Sequence, residues 1–69
     1  MAKASRGGWG GRLRRERERQ GWSQKALAEK INAGEHSVYR WEAGKDKPRV
    51  EVLQSLINLF GKPPEAWGK

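Results

Sequence analysis

W-S-Q-K-A-L-A-E-K-I-N-A-G-E-H-S-V-Y-R-W-E-A-G, residues Trp22 to Gly44, holds two short amphipathic patterns with a break between them. Ser23 opens the first, because a serine oxygen accepts from the orphan N–H groups of a first helical turn. Trp22 just before it and Leu27 inside are spaced as a hydrophobic staple. Leu27, Ala28 and Ile31 share one face at helical spacing. Asn32 tolerates the left-handed conformation that ends a helix, and Gly34 can start the next. From Glu35 the second pattern splits by face. Val38 and Trp41 point inward, flanked by Ser37 and Glu42, while Glu35, His36, Tyr39, Arg40 and Ala43 point outward.

Helix, tight turn, and a second helix with a polar outer face is the shape of a helix-turn-helix, whose second helix enters the major groove of DNA. The residues also resemble a known family, the lambda-repressor-like (Cro/cI, Xre-type) helix-turn-helix domains. S-Q-x-x-L-A at Ser23–Ala28, the apolar pair Val38 and Trp41, R-W-E-x-G at Arg40–Gly44 and then Pro48 carry the resemblance, which spans roughly Leu13 to Gly61. It implies an all-α domain of four or five helices of bacterial or phage type, with the motif over residues 23–43. It also implies sequence-selective binding of double-stranded DNA in transcriptional regulation.

Sixty-nine residues allow one small domain, and the lack of cysteine leaves helix packing to stabilise it. No apolar run approaches the ~20 residues of a membrane span, so the expected location is cytoplasmic, at the nucleoid. The formal net charge is +7, and all but Lys62 and Lys69 of the 15 basic residues precede Val50. That asymmetry favours a polyanionic partner.

Residues 1–10 are expected to form a flexible, basic, glycine-rich arm, with the domain over 11–69. Glycine this dense, continuing to Gly11, argues against helix before Arg12. The arm is either disordered or reaches along a duplex through Lys3 and Arg6. Trp9 alone suggests packing at the start of the first helix. That helix, Arg12–Gln20, has Leu13 as its single apolar side chain and ends at Gly21. Arg12–Glu16 and Arg14–Glu18 are spaced for surface pairs. The family usually has an apolar residue where Glu16 stands, so docking of this helix is the weakest part of the expected fold. In Arg49–Phe60, Val50, Leu53, Leu56, Ile57 and Phe60 form one apolar face, ended by Gly61. Val52 and Leu59 lie on its flank and either extend the core or form an exposed stripe. A short turn from Pro64 would let Trp67 cover the core.

The resemblance assigns the site. Base contacts map onto Gly34, Glu35, His36, Tyr39 and Arg40. Arg40 can fork onto guanine O6 and N7, Glu35 suits cytosine N4, and Gly34 lacks the side chain usual at its place. Ser23 and Gln24, in the first turn of their helix, are expected on phosphates; the family's matching glutamine contacts the DNA backbone. Lys45, Lys47 and Arg49 in the following loop are placed to join them. A structural ion pair between Arg17 and Glu42 is implied, tying the first helix to the motif. No enzyme is expected, because nothing forms a nucleophile–base set or a metal-ligand cluster; no cofactor, small-molecule substrate or membrane is expected either. The main alternative is the same fold used as a protein-interaction module for an acidic partner. RNA is less favoured because the few aromatics suit core positions better than base stacking. The protein is expected to be a monomer in solution, with a homodimer on DNA possible, since only Val52, Leu59 and Trp67 could supply an apolar interface.

Overall fold

In the computed structural model, which describes residues 8–68, the chain forms α1 (Trp9–Gln20), α2 (Gln24–Lys30), α3 (Glu35–Glu42) and α4 (Val50–Phe60). A 3₁₀ turn follows at Pro64–Ala66. Leu13, Leu27, Ala28, Ile31, Val38, Trp41, Leu56, Phe60 and Trp67 form the core, so each of the four helices contributes to it, as does the tryptophan that follows the 3₁₀ turn. Among the described residues no helix is long and apolar enough to cross a membrane. Lys3 and Arg6 lie outside the described residues.

Three helices end in the same way. After α1, Gly21 sits at φ 81° while its N–H donates to Glu18 O and that of Trp22 to Arg17 O. After α2, Asn32 takes the same role at φ 56°, with Asn32 N–H to Glu29 O and Ala33 N–H to Ala28 O. After α3, Gly44 at φ 79° repeats it through Gly44 N–H to Trp41 O and Lys45 N–H to Arg40 O. These paired bonds satisfy the last carbonyls of each helix and fold the next residues back over its final turn. At its other end α2 begins on Ser23, whose Oγ accepts from Ala26 N–H at 3.0 Å. Trp22 stacks on Phe60 with ring centroids 6.0 Å apart, and Lys30 Nζ lies 4.7 Å from the centroid of the Trp22 ring.

The structure corrects the expectation that helix cannot precede Arg12. α1 starts at Trp9 and includes Gly10 and Gly11. The reason is packing. Gly10 is buried against the end of α3, and a Cβ there would stand 2.6 Å from Trp41 O and 2.7 Å from Glu42 O. Glycine's low helix propensity is offset because no other residue lets the two backbones approach so closely. Trp9 meets Trp67 edge-on at 5.4 Å, and Trp67 in turn meets Phe60 at 5.3 Å. Trp67 is 1% exposed and donates Nε1–H to Lys62 O at 2.9 Å.

Glu16 is a second correction. It is not a surface partner of Arg12 but fully buried. Gln20 Nε2 donates to it at 2.9 Å and the Gly68 N–H at 3.1 Å, while Lys62 Nζ lies 3.3 Å away. Burial pushes its carboxyl up, but the Gly68 N–H, the Gln20 amide and Lys62 together outweigh that and hold it below its ordinary value. The residue that departs from the family's apolar pattern thus ties α1 to the C-terminal segment.

A third correction concerns α4. Val50, expected on its apolar face, is 78% exposed, while Leu56 and Phe60 are buried and Val52, Leu53, Ile57 and Leu59 pack partly against the core. At 100° per residue Val50 points about 100° away from the Leu56–Phe60 line, further than Val52 or Leu59. As the first helical residue it also leans back over the loop rather than the core.

Candidate nucleic-acid interface

α3 is held from behind and from one end. Val38 and Trp41 are buried in the core. Glu42 meets Arg17 through two bonds, Nε to Oε2 at 2.6 Å and Nη2 to Oε1 at 3.0 Å. Arg17 Nη1 also donates to Trp22 O at 2.9 Å, and Gln24 Nε2 donates to Glu42 Oε1 at 3.1 Å. This one carboxylate therefore joins α1, the start of α2 and the end of α3. Its hydrogen bonds raise the Arg17 guanidinium above its ordinary value, against the opposing effect of burial.

The opposite side of α3 is polar and open. Glu35 and His36 are exposed, Tyr39 is half exposed, and Arg40 is partly so. The His36 and Tyr39 rings face each other at an interplanar angle of 29° with centroids 6.1 Å apart. Gly34 caps the helix at φ −87° without a side chain to contribute.

Two flanks border this face. On one, Gln24 shares a concavity with Glu35, His36 and Tyr39, and another with Arg14, Arg17, Tyr39, Glu42 and Ala43. Ser23 and Gln24 both spend part of their hydrogen-bonding capacity on structure. The Ser23 hydroxyl proton and the second N–H of the Gln24 amide remain to donate. On the other flank, Lys47 and Arg49 share a concavity with Gly34 and Ser37. Lys45, Lys47 and Arg49 are exposed. The structure therefore brings Gln24, Lys47 and Arg49 to the borders of the face that carries Glu35, His36, Tyr39 and Arg40, with Gly34 at its start and Lys45 bonded to its last turn, while Ser23 caps α2 next to Gln24.

It also adds two residues that sequence reasoning passed over. Arg14, treated only as a surface partner of Glu18, does make that pair at 3.0 Å. It also lines the Gln24 flank. Asp46 was hidden between two lysines. Its Oδ2 accepts from Arg40 Nε at 2.8 Å. The signal for it was the glycine-ended helix, which returns the chain past the last turn and brings Asp46 back to Arg40.

A helix-turn-helix family model matches residues 13–67, from the first core leucine to the tryptophan that closes the core. An HTH-type transcriptional regulatory protein of Pyrobaculum aerophilum is 34% identical over 53 residues, covering 77% of this chain and 21% of its own length. One of Pyrococcus furiosus is 35% identical over 68 residues, 91% of this chain and 22% of its own length. The HTH-type transcriptional regulator ImmR of Bacillus subtilis is 35% identical over 51 residues, 74% of this chain and 40% of its own length. The chain thus spans between about a fifth and two fifths of these relatives. No solved structure matches it. With the motif, its buried Val38 and Trp41, and a family match over nearly all the described core, the chain belongs to the lambda-repressor-like helix-turn-helix family.

Proposed function

We propose that this domain binds duplex DNA sequence-selectively and serves as the DNA-reading part of a transcriptional regulator. α3 would lie in the major groove, which is wide enough for a helix. Glu35, His36, Tyr39 and Arg40 would meet base edges, and Ser23, Gln24, Lys45, Lys47 and Arg49 would meet phosphates. The observation that carries this reading is the division of α3. Its outer face exposes polar side chains, while its inner face and the Glu42 carboxylate are locked to the rest of the domain. A rigid helix with an unengaged polar face suits base reading, because the contacts cost little further ordering. The names of the relatives agree with this function.

We also propose a monomer in solution. Trp67, Val52 and Leu59, the candidates for an apolar interface, are buried or partly buried within their own chain.

Selection of bound duplexes from a random library tests the reading. A recovered motif, bound more tightly than scrambled DNA, is the expected result. Three phosphate-bound cations would make affinity fall roughly 40-fold between 50 and 200 mM salt, and Lys45→Ala would flatten that slope by about one charge. No enrichment over scrambled DNA would move the function to an acidic protein partner.

A further inference from the structure

Asp46 has no part in the contacts proposed so far, yet among the described residues it is the one carboxylate bonded to a side chain proposed to read a base. We infer that Asp46 is a positioning residue for Arg40, holding its guanidinium so that the Nη fork meets one guanine rather than a phosphate. This inference rests on the DNA-binding reading above.

The chain geometry supports it first. The glycine turn after α3 fixes Lys45 N–H on Arg40 O, so the loop returns directly over the turn that carries Arg40. Asp46 follows one residue later. On α3, Arg40 lies at the border facing this loop, away from the Gln24 side.

The hydrogen-bond chemistry supports it second. Asp46 takes Nε, at 2.8 Å, and among the described residues no protein group takes either Nη. Guanine O6 and N7 accept from a planar pair of N–H groups. A carboxylate on Nε can fix the plane and direction of an arginine while leaving Nη donors for the base. Without such a hold, Arg40 beside Lys45 and Lys47 would be a mobile cation near the phosphates, where charge is matched without regard to sequence.

The electrostatics supply the third step. Both side chains are partly open, 40% for Arg40 and 54% for Asp46, so in the free protein the pair biases the arginine rather than locking it. In the groove, water leaves and the pair strengthens. The Asp46 charge also repels phosphate, which weakens binding to any duplex while favouring the one with the matching base. That is selectivity by penalising the wrong partner.

The test compares wild type, Arg40→Ala, Asp46→Ala and Asp46→Asn by library selection, and by affinity for the best and scrambled duplexes. Arg40→Ala identifies the base pair, as the position where guanine preference disappears. Asp46→Ala should lower guanine preference there about fivefold, which is roughly 1 kcal/mol, the upper range for an exposed ion pair. It should leave the other positions unchanged and raise affinity for scrambled DNA. Asp46→Asn, which keeps an oxygen for Nε–H, should retain more guanine preference than Asp46→Ala while gaining the same nonspecific affinity. A merely structural role would weaken best and scrambled duplexes together, and that result overturns the inference. So does guanine preference that survives Asp46→Ala, or that Arg40→Ala fails to remove. A wild-type protein that selects nothing would overturn the DNA-binding reading along with it.

Discussion

The Arg17–Glu42 pair should contribute its energy as a unit. The Arg17 side chain is 11% exposed and that of Glu42 is 5% exposed, with two bonds between them. Breaking a buried pair by removing one partner costs about 3–5 kcal/mol, because an uncompensated charge remains. Here each survivor keeps one bond. Arg17 retains Trp22 O, and Glu42 retains the Gln24 amide. The expected cost is therefore lower, about 2–3 kcal/mol each for Arg17→Met and Glu42→Leu. A domain of this length has a total stability of roughly 3–10 kcal/mol, so both variants should still show an unfolding transition. The double variant strands no charge and should cost less than the sum of the singles by about 1.5 kcal/mol or more. Urea unfolding followed by tryptophan fluorescence gives the four stabilities, with equal m-values as the check on two-state behaviour. A coupling below about 0.3 kcal/mol would refute the pair's role in holding α3.

Two further outcomes follow from α1. Glu16 has its pKa lowered by donors on every side, so its stabilisation is full above the unfolded carboxyl pKa and is lost as pH falls through the lower folded value. Melting temperature should therefore drop as the solution is acidified below about pH 4.3. Glu16→Gln puts an amide NH₂ among donors and should cost about 1–3 kcal/mol at neutral pH while reducing that acid sensitivity. Parallel pH profiles for the two proteins would exclude the assignment. Gly10→Ala should lower stability by about 1–3 kcal/mol despite alanine's better helix propensity, since its Cβ would meet two backbone oxygens that cannot rotate away. A higher melting temperature for this variant would mean that α1 and α3 separate without cost.

What could be read from the chain before folding follows from which interactions are local. Ser23, Asn32, Gly34, Gly21 and Gly61 act through their own turns, and they stand at the predicted helix ends. The inward faces of α2 and α3 follow from period alone, since Leu27, Ala28, Val38 and Trp41 are each buried. The failures at Gly10 and Glu16 depend on approach between distant segments. Gly10 looked like a helix breaker because its value lies in the closeness of Trp41 and Glu42. Glu16 looked like a solvated charge because its partners Lys62 and Gly68 come from the other end of the chain. The spacing of Val50 to Leu53 and Ile57 places it on the apolar face of α4, but the buried line runs through Leu56 and Phe60 and leaves Val50 about 100° to one side. At the interface, the resemblance assigned residues by position, whereas the Arg40–Asp46 bond depends on how a glycine turn redirects the loop.

The acids around α3 explain how a chain with net charge +7 could discriminate among sequences at all. Cations alone bind every duplex, and their affinity scales with the number that reach phosphate. Here Glu42 withdraws Arg17 from that pool by taking two of its N–H groups, and Asp46 accepts from Arg40 Nε, the bond inferred above to direct it. Glu35 adds an exposed negative charge at the start of the reading helix, where an unsuited duplex would place phosphate or an acceptor against it. Lys45, Lys47 and Arg49 are exposed and make no ion pair among the described residues, which leaves them open to the phosphate contacts proposed above. On the proposed reading the carboxylates would divide the cations into one that builds the domain, one that reads a base and three that supply affinity. The division predicts a particular asymmetry: neutralising Asp46 should tighten nonspecific binding, whereas neutralising Lys45 should loosen all binding. If both substitutions shifted specific and scrambled affinity in the same direction, net charge alone would account for the binding and the placement of the acids would carry no information.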